Sequence, residues 1–276
     1  MRKLTLLILF IALTQGQGYA QNLSEFLGDE SALYAETKQL NQFFRRFNNE
    51  EDTQGQRYYP GDPNYRTKED RLRYIQMLFD KENKGITNEL KTEFSNYVIE
   101  RDPGVFLDFH GGNWFAEVET TFLYKGEEKK VVLFLKIQKE PIGSKWVLTN
   151  VFFEPFSKLF VADSTTMKFL HPMSHELEFM NLNKALRVNE ELELYAQRSF
   201  KPDYLMLLFY EMKLGNLSFK NVDNVKFHFF QVDNWYFEIT RFNRPGLNRG
   251  WLMSNLARIN DDEKRLLMKY IFYEDN

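Results

Sequence analysis

The sequence contains no cysteine, which excludes several kinds of chemistry at once. Disulfides, thiol nucleophiles, thiolate metal sites and the lipidated cysteine of an exported lipoprotein all require that residue. The chain also lacks a phosphate loop, a nucleophile elbow, a zinc-binding helix and a calcium loop. No motif names a reaction, and we predict no cofactor and no metal.

Long apolar runs are missing except at the N-terminus, where residues 4–13 are apolar. Arg2 and Lys3 precede this run, and the small residues Gly18 and Ala20 follow it, which is the pattern of a secretory signal peptide cut after Ala20. About ten apolar residues are too few for the ~20 that span a bilayer as a helix, although a membrane anchor is the alternative interpretation. We therefore predict a soluble exported protein, periplasmic or extracellular and not a lipoprotein, with no membrane span once the signal is removed.

A strong excess of positive charge is also missing. The chain has 36 Lys and Arg against 39 Asp and Glu, a net charge of −3 that becomes −5 when Arg2 and Lys3 leave with the signal. This balance argues against nucleic-acid or anionic-membrane partners, so we predict a protein or a small molecule as the partner. The 27 Phe, 14 Tyr and 4 Trp predict the dense core on which an exported chain without disulfides depends.

Apolar residues repeat first with a period of 3.6 and then with a period of 2, and this order occurs twice. The first half has helical patterns over 29–48, 67–85 and 87–99, then strand patterns over 105–110, 113–125, 129–139 and 145–154. The second half has helical patterns that begin at Ser174, Asn189 and Pro202, then strand patterns over 224–232, 234–243 and 250–259. Helices followed by an antiparallel meander indicate an α+β fold.

Three short segments recur in order at a spacing of about 120 residues, as a duplication predicts. "NWFAEV" matches "NWYFEI", "LKIQ" matches "ARIN", and "VFFE" matches "IFYE". The third match predicts a strand over 264–274, although the capped run "DDEKRLLMKYIF" has helical propensity. The predicted division is a signal peptide over 1–20, a first α+β module over 21–154, a linker over 155–172 and a second α+β module over 173–276.

The order of elements and the closing strand "SKWVLTNVFF" resemble the nuclear transport factor 2-like superfamily, which includes ketosteroid isomerase. The resemblance covers residues 29–154 and, more loosely, 174–274. It implies two tandem cone-like modules, each with helices followed by a curved antiparallel sheet of about four strands, and a pocket in each half. Members range from isomerases and dehydratases to non-catalytic binding or assembly modules. No catalytic spacing of the family carries over to this chain.

Alternation along the strand at 113–125 separates its side chains onto two faces. Trp114 and its counterpart Trp235 should face the helices. The opposite face should be a contact surface, formed by Phe115, Glu117, Tyr236 and Glu238. Val132 and Phe134 make this face half apolar on the next strand, so we expect a cover. That cover would be the sheet of the other module, in an internal pseudo-dimer, or a second copy of the chain, in a homodimer.

Three residues are the acid/base candidates if the protein is an enzyme. Asp108 and His110 share one predicted strand, and Glu117 lies on the next. Glu117 and Glu119 would project from one strand face about 6.5 Å apart, a separation that overlaps that of catalytic carboxylate pairs. The alternative for the two glutamates is an acidic outer sheet face.

Two other groups of residues suggest binding. Tyr58, Tyr59 and Tyr65 lie in a loop rich in Gly, Pro and Asp, where they could stack on a sugar, anchor a partner or pack the loop down. His171 and His175 have the four-residue spacing of helical metal ligands, but the Pro172 between them interrupts such a helix.

We therefore predict an exported, non-catalytic binding or assembly protein that uses an aromatic-lined cavity or an outer sheet face. The first alternative is a small-molecule lyase, isomerase or hydrolase that uses Asp108, His110 or Glu117. The second is a carbohydrate-binding protein that uses the tyrosine loop.

Overall fold

The computed structural model describes residues 39–160, 170–173, 179–187 and 192–274. The predicted signal peptide, the start of the first predicted helix and the predicted helix starts at Ser174 and Asn189 lie outside these ranges. The described residues form seven α-helices and one six-stranded antiparallel sheet, so the fold is mixed α+β, as predicted. Among them, no helix is both long enough and apolar enough to cross a membrane.

The first half of the chain supplies three helices, a three-stranded meander and a short helix. These are α1 (Leu40–Asn48), α2 (Lys68–Met77), α3 (Asn88–Glu100), β1 (Trp114–Tyr124), β2 (Glu127–Glu140), β3 (Gly143–Phe152) and α4 (Glu154–Ser157). Lys125 and Gly126 join β1 to β2 and both have positive φ, which matches a tight hairpin turn. The Thr87 side chain accepts the Leu90 N–H and caps α3, as the sequence predicts.

The second half supplies another meander between helices. Its elements are α5 (Met180–Ala185), a 3₁₀ turn (Leu192–Tyr195), α6 (Tyr204–Lys213), β4 (Leu217–Phe229), β5 (Trp235–Phe242), β6 (Gly250–Arg258) and α7 (Asp261–Ile271).

One continuous sheet runs through both halves, in the order β3-β2-β1-β4-β5-β6. The central seam is the antiparallel pair of β1 and β4, which extends from Trp114 opposite Phe229 to Tyr124 opposite Leu217. The two meanders therefore meet edge to edge, with hydrogen bonds between their backbones. Each half contributes three strands to this sheet.

The sheet is strongly curved. Trp146 of β3 contacts Trp114 of β1 with 5.5 Å between ring centroids and Phe227 of β4 with 6.0 Å. Neighbouring strands lie ~4.8 Å apart, so β3 and β4 would be ~14 Å apart in a flat sheet. Contact between side chains on such distant strands requires that they stand on a concave face.

The main core lies between this concave face and helices α1 to α3. Trp114 packs edge-on against Phe44 of α1, and Trp235 packs edge-on against Phe94 of α3. Both tryptophans are buried and face the helices, as the strand alternation predicts. A second cluster on the same face joins the far end of β1 to α6, where Phe122 and Leu208 are buried together.

The opposite, convex face is covered by α7, and this corrects two expectations. The strand predicted over 264–274 is wrong, because Asn260 and Glu263 form a capping box that starts a helix at Asp261. This helix, rather than a second sheet, supplies the apolar cover that the sequence requires. Just after α7, Phe272 stacks on Phe115 with 4.9 Å between ring centroids and contacts Phe134 edge-on.

The strand predicted over 105–110 is also wrong. The side chain of Asn48 binds both backbone groups of Leu107: its Nδ2 donates to the Leu107 carbonyl at 2.8 Å, and its Oδ1 accepts the Leu107 N–H at 2.9 Å. The N–H of Asp108 donates to the side chain of Gln231. Because side chains take these backbone groups, the segment follows the helices instead of joining the sheet.

Arg71 holds this segment and two helices together from inside the protein. Its guanidinium is buried and donates to the backbone carbonyls of Phe47, Val98 and Val105. It also lies over the rings of Phe47 and Phe106. Burial, followed by the positive charge of Arg66, lowers the pKa of Arg71 to about 10, so the group stays charged at neutral pH.

We expect Arg71→Met to destabilise the fold by about 3 kcal/mol or more, because three carbonyls lose a charged donor at once. Urea unfolding of the wild-type and variant proteins measures the difference. Arg73→Met is the matched control, since Arg73 lies on the same helix but is largely exposed and should change stability by less than about 0.5 kcal/mol. Equal effects of the two changes would contradict this role of Arg71.

Candidate functional site

A cleft of about 670 Å³ opens between α1, the loop that follows it and the segment before β1. We call it the arginine cleft. Its lining residues are Asn41, Phe44, Arg45, Asn48, Glu50, Arg57, Arg66, Phe106, Leu107, Asp108, Phe109 and His110. The rings of the lining phenylalanines supply apolar surface, and most of the other lining side chains are polar or charged. The cleft therefore offers a ligand both apolar surface and charged groups.

A frame of buried polar side chains fixes the walls of the cleft. Asn48 clamps Leu107 to the end of α1, as described above. The Nδ2 of Asn49 donates to the Asn64 carbonyl and to the Thr67 hydroxyl, both at 2.9 Å, which fixes the far end of the loop. Both asparagines are buried, so each satisfied hydrogen bond also avoids a desolvation cost. The cleft is therefore preorganised.

Three arginines reach the cleft with different partners. Arg45 forms an ion pair with the buried Glu51 at 2.5 Å. The Nε of Arg66 donates to Glu50 at 2.8 Å. Arg57 lies over the ring of Tyr59, and no carboxylate in the described part of the chain pairs with it. Within the described ranges, Arg57 therefore supplies a positive charge that no acidic side chain neutralises.

Asp108 and His110, two of the predicted acid/base candidates, line this cleft and are exposed. The Asp108 carboxylate accepts the backbone N–H of His110 at 2.8 Å in a local turn, and the His110 ring contacts Ser144 Oγ at 3.1 Å. None of the described residues that line the cleft is a tyrosine, and the cleft is open to solvent. The two residues lie near each other, but they do not converge on an enclosed catalytic position.

The tyrosine loop forms part of the same region, since it carries Arg57 and Arg66 as well. Tyr59 is 58% exposed, whereas Tyr58 and Tyr65 are partly buried. Arg66 lies over the ring of Tyr65, which fixes that side chain to the loop. Of the three tyrosines, Tyr59 is therefore the one most available to a ligand.

A second polar cluster lies on the convex face, under α7. The Nε2 of His228 is 2.8 Å from Glu117 Oε2, and its Nδ1 is 2.8 Å from the hydroxyl oxygen of Tyr236. Lys226 lies 3.6 Å from Glu117 and 3.1 Å from Glu119. We call Glu117, His228 and Tyr236 the buried triad. Its members come from β1, β4 and β5, so the sheet pairing brings them together.

The donors in the triad follow from the chemistry of its members. Because a carboxylate can only accept, His228 donates its Nε2–H to Glu117, and in the neutral ring its Nδ1 accepts the hydroxyl of Tyr236. Burial raises the pKa of Glu117, but His228 and Lys226 outweigh that effect and hold the pKa below its usual range. Burial, then the nearby Glu238 and Glu117, raises the pKa of Tyr236, so its O–H stays protonated.

Three of the four predicted contact residues of this face are buried. Phe115, Glu117 and Tyr236 are 2%, 6% and 3% exposed. Glu238 is half-buried and accepts a hydrogen bond from Ser254 at 2.8 Å. A ligand could reach the triad only after α7 had moved.

Sequence reasoning missed the most important residues at both places. His228 stands in the run "KFHFF", where a histidine between buried phenylalanines signals a buried polar partner. The polar run "RRFNNEE" reads as a solvated helix end, yet its Arg46, Asn48, Asn49 and Glu51 are buried. The apolar residues around that run could have indicated that its polar groups have partners inside the protein, as Asn48 and Glu51 do.

Metal ligation finds little support in the part of the chain that the structure describes. No group of three or more His, Asp or Glu side chains there is placed to hold a metal ion. The Nδ1 of His171 accepts the backbone N–H of Met173. His175 lies outside the described residues.

No protein-family model, curated protein or solved structure matches this chain significantly. The resemblance to the nuclear transport factor 2-like superfamily therefore stays a prediction. Function has to be argued from the residues themselves.

We expect Glu117→Gln to destabilise the protein at neutral pH by about 3 kcal/mol, because the buried His228 loses a charged hydrogen-bond acceptor and the partly exposed Lys226 loses a counter-charge. The free energy of unfolding should also depend less steeply on pH in the acid range. The pKa of Glu117 is lower in the folded chain than in the unfolded one, so its stabilisation is fully present above 4.5 and is lost as pH falls through the folded value.

Urea unfolding at a series of pH values measures both effects. Glu69→Gln, which removes an exposed carboxylate on α2, is the control and should change neither quantity. An equally steep loss of stability with acid in the wild type and in Glu117→Gln would contradict the assignment.

Proposed function

We propose that this protein is an exported binding protein that holds a small anionic ligand in the arginine cleft. Arg57 carries the proposal, because it is a lining cation that no carboxylate of the described chain neutralises, on a cleft wall held by Asn48 and Asn49. Preorganised walls reduce the ordering cost of binding. Burying an asparagine costs free energy of desolvation. A functional need for the shape of the cleft explains why Asn48 and Asn49 are buried in its walls.

The ligand class follows from the lining groups. Arginine presents a planar fork of donors that matches carboxylate and phosphate oxygens, often with two parallel hydrogen bonds. Phe44, Phe106 and Phe109 offer apolar surface beside that charge. We therefore propose a small organic anion with an apolar part, rather than a bare inorganic ion.

Catalysis is the less favoured reading of the same cleft. Asp108 and His110 are exposed and tied to local partners, and the enzyme hypothesis requires a third group that converges with them in a closed cavity. The remaining candidate, Glu117, lies under α7 and away from the cleft lining.

A carbohydrate ligand is the second candidate, favoured by the exposed ring of Tyr59 beside Arg57. Aromatic rings stack on the apolar faces of sugars, and planar polar side chains bind sugar hydroxyls. An acidic sugar would satisfy both proposals.

We also propose that the two halves derive from one duplicated module of the nuclear transport factor 2-like type. Asn113 and Asn234, which precede the two matched tryptophans, both adopt left-handed backbone conformations, with φ of 62° and 63°. Such a conformation is uncommon outside glycine, so its recurrence supports common descent. The third sequence match does not add support, because it pairs the end of β3 with the end of α7.

Isothermal titration with succinate, glucuronate, glucose and inorganic phosphate tests the ligand class. We expect binding of at least one of the two organic anions. Arg57→Ala should weaken that binding by at least about tenfold, because a charge-assisted hydrogen bond is lost. Arg73→Ala, an exposed arginine outside the cleft, is the control.

Binding that Arg57→Ala leaves unchanged would exclude the arginine cleft as the anion site. Binding of glucose as tight as that of glucuronate, lost in Tyr59→Ala, would favour the carbohydrate alternative.

Export predicts a separate result. Expressed with its native N-terminus in a bacterium, the chain should be recovered from the periplasm or the medium with Gln21 as its first residue, as N-terminal mass spectrometry would show. A cytoplasmic chain that retains Met1 would contradict the signal peptide.

A further inference from the structure

Helix α6 has an apolar face that packs on nothing in the described structure. Met206, Phe209 and Tyr210 are 66%, 43% and 57% exposed, although a helix of a globular protein normally turns such residues inward. The opposite face already fills the core, where Leu208 is buried with Phe122. Helix α6 is therefore apolar on both faces, and among the described residues only the face that carries Leu208 is packed.

The exposed residues form one stripe along the helix. Positions three and four apart lie on the same side of an α-helix, so Asp203, Met206, Tyr210 and Lys213 line up, with Phe209 beside them. Asp203 is the N-cap residue, and Lys213 is the last residue of the helix. The stripe thus begins with a negative charge, continues with apolar side chains and ends with a positive charge.

This order is self-complementary. Position 208 is the midpoint of the stripe in the sequence, since Asp203 and Lys213 are equally far from it, and its own side chain, Leu208, faces the core. If two copies of α6 pack antiparallel about a two-fold axis near that centre, Asp203 of each copy meets Lys213 of the other copy. Met206 of each copy then meets Tyr210 of the other copy, so the apolar side chains are buried together. Such reciprocal contacts define an isologous interface.

Apolar residues that follow in the chain enlarge the surface. Leu214, Phe219 and Val222 are also more than half exposed, and they lie just after α6 and on the first part of β4. Exposed apolar patches larger than scattered single residues mark interaction sites. Oppositely charged ends would orient the contact more than they would strengthen it, because exposed ion pairs are weak.

We propose that α6 is the contact of a homodimer, in which two copies of this chain pack their α6 helices antiparallel. The partner is thus a second copy, since its own α6 offers the complementary charge order. This contact differs from a homodimer through sheet faces, because α7 covers the convex face and the helices cover the concave one.

Sedimentation equilibrium of the purified protein tests the proposal. We expect a reversible monomer–dimer equilibrium with a dissociation constant below about 100 µM. Phe209→Glu should raise that constant at least about 30-fold, the loss typical of a central aromatic contact. Leu266→Glu, a change at an exposed leucine on α7, is the matched control and should leave it unaltered.

Charge variants test the antiparallel register. Lys213→Glu places two acidic groups together across the axis and should weaken the dimer by about fivefold. Adding Asp203→Asn removes the repulsion and should restore most of the affinity, and asparagine still caps the helix. A merely structural role for Lys213 would not produce this recovery.

Circular dichroism checks that each variant is folded. Should Phe209→Glu fail to fold, Met206→Glu replaces it, because Met206 is more exposed than Phe209 and Tyr210. A wild-type monomer at 100 µM would overturn the proposal. A dimer whose dissociation constant changes in neither Phe209→Glu nor Met206→Glu would also overturn it. If Asp203→Asn did not restore the affinity of Lys213→Glu, the antiparallel register would be wrong.

Discussion

The pairing of β1 with β4 is the interaction on which the rest of this structure depends. It joins two meanders into one sheet and thereby creates two continuous faces. The concave face takes the helices and the tryptophans, and the convex face takes α7. The buried triad exists only because β1, β4 and β5 are neighbours, since Glu117, His228 and Tyr236 come from these three strands.

Several polar groups buried in this fold have hydrogen-bond partners that offset the cost of removing them from water. Arg71 satisfies three carbonyls where helices and the segment before β1 meet. Asn48 satisfies both backbone groups of Leu107. These contacts hold the segment before β1, and with it Asp108, in place although the segment is not a strand. Arg57 differs from them because it is exposed, and for this reason we propose that the ligand binds there.

Much of the fold follows from local patterns, and the errors have specific causes. Alternation of apolar residues predicted the strands of both meanders and the inward direction of Trp114 and Trp235. The segment at 105–110 has the same alternation, but the distant Asn48 takes its hydrogen bonds. The likeness of the final segment to β3 predicts a strand, but the local capping box of Asn260 and Glu263 starts a helix there. The candidate site was harder to predict, because its arginines come from a loop whose shape the buried asparagines decide.

The sequence by itself determined the absence of thiol chemistry, the α+β order and the two faces of each strand, because these depend on composition and on neighbouring residues. Tertiary structure decided what each face meets. Glu117 alternates outward whatever the fold, but only the seam places His228 beside it, and only α7 removes it from water. In the same way, the sequence shows that α6 is rich in apolar residues. Only the tertiary structure shows which of them, Leu208 among them, pack in the core and which stay exposed. Alternation and capping act between neighbours in the chain, while the seam and the buried triad depend on residues far apart in it, such as Glu117 and His228, which are 111 positions apart.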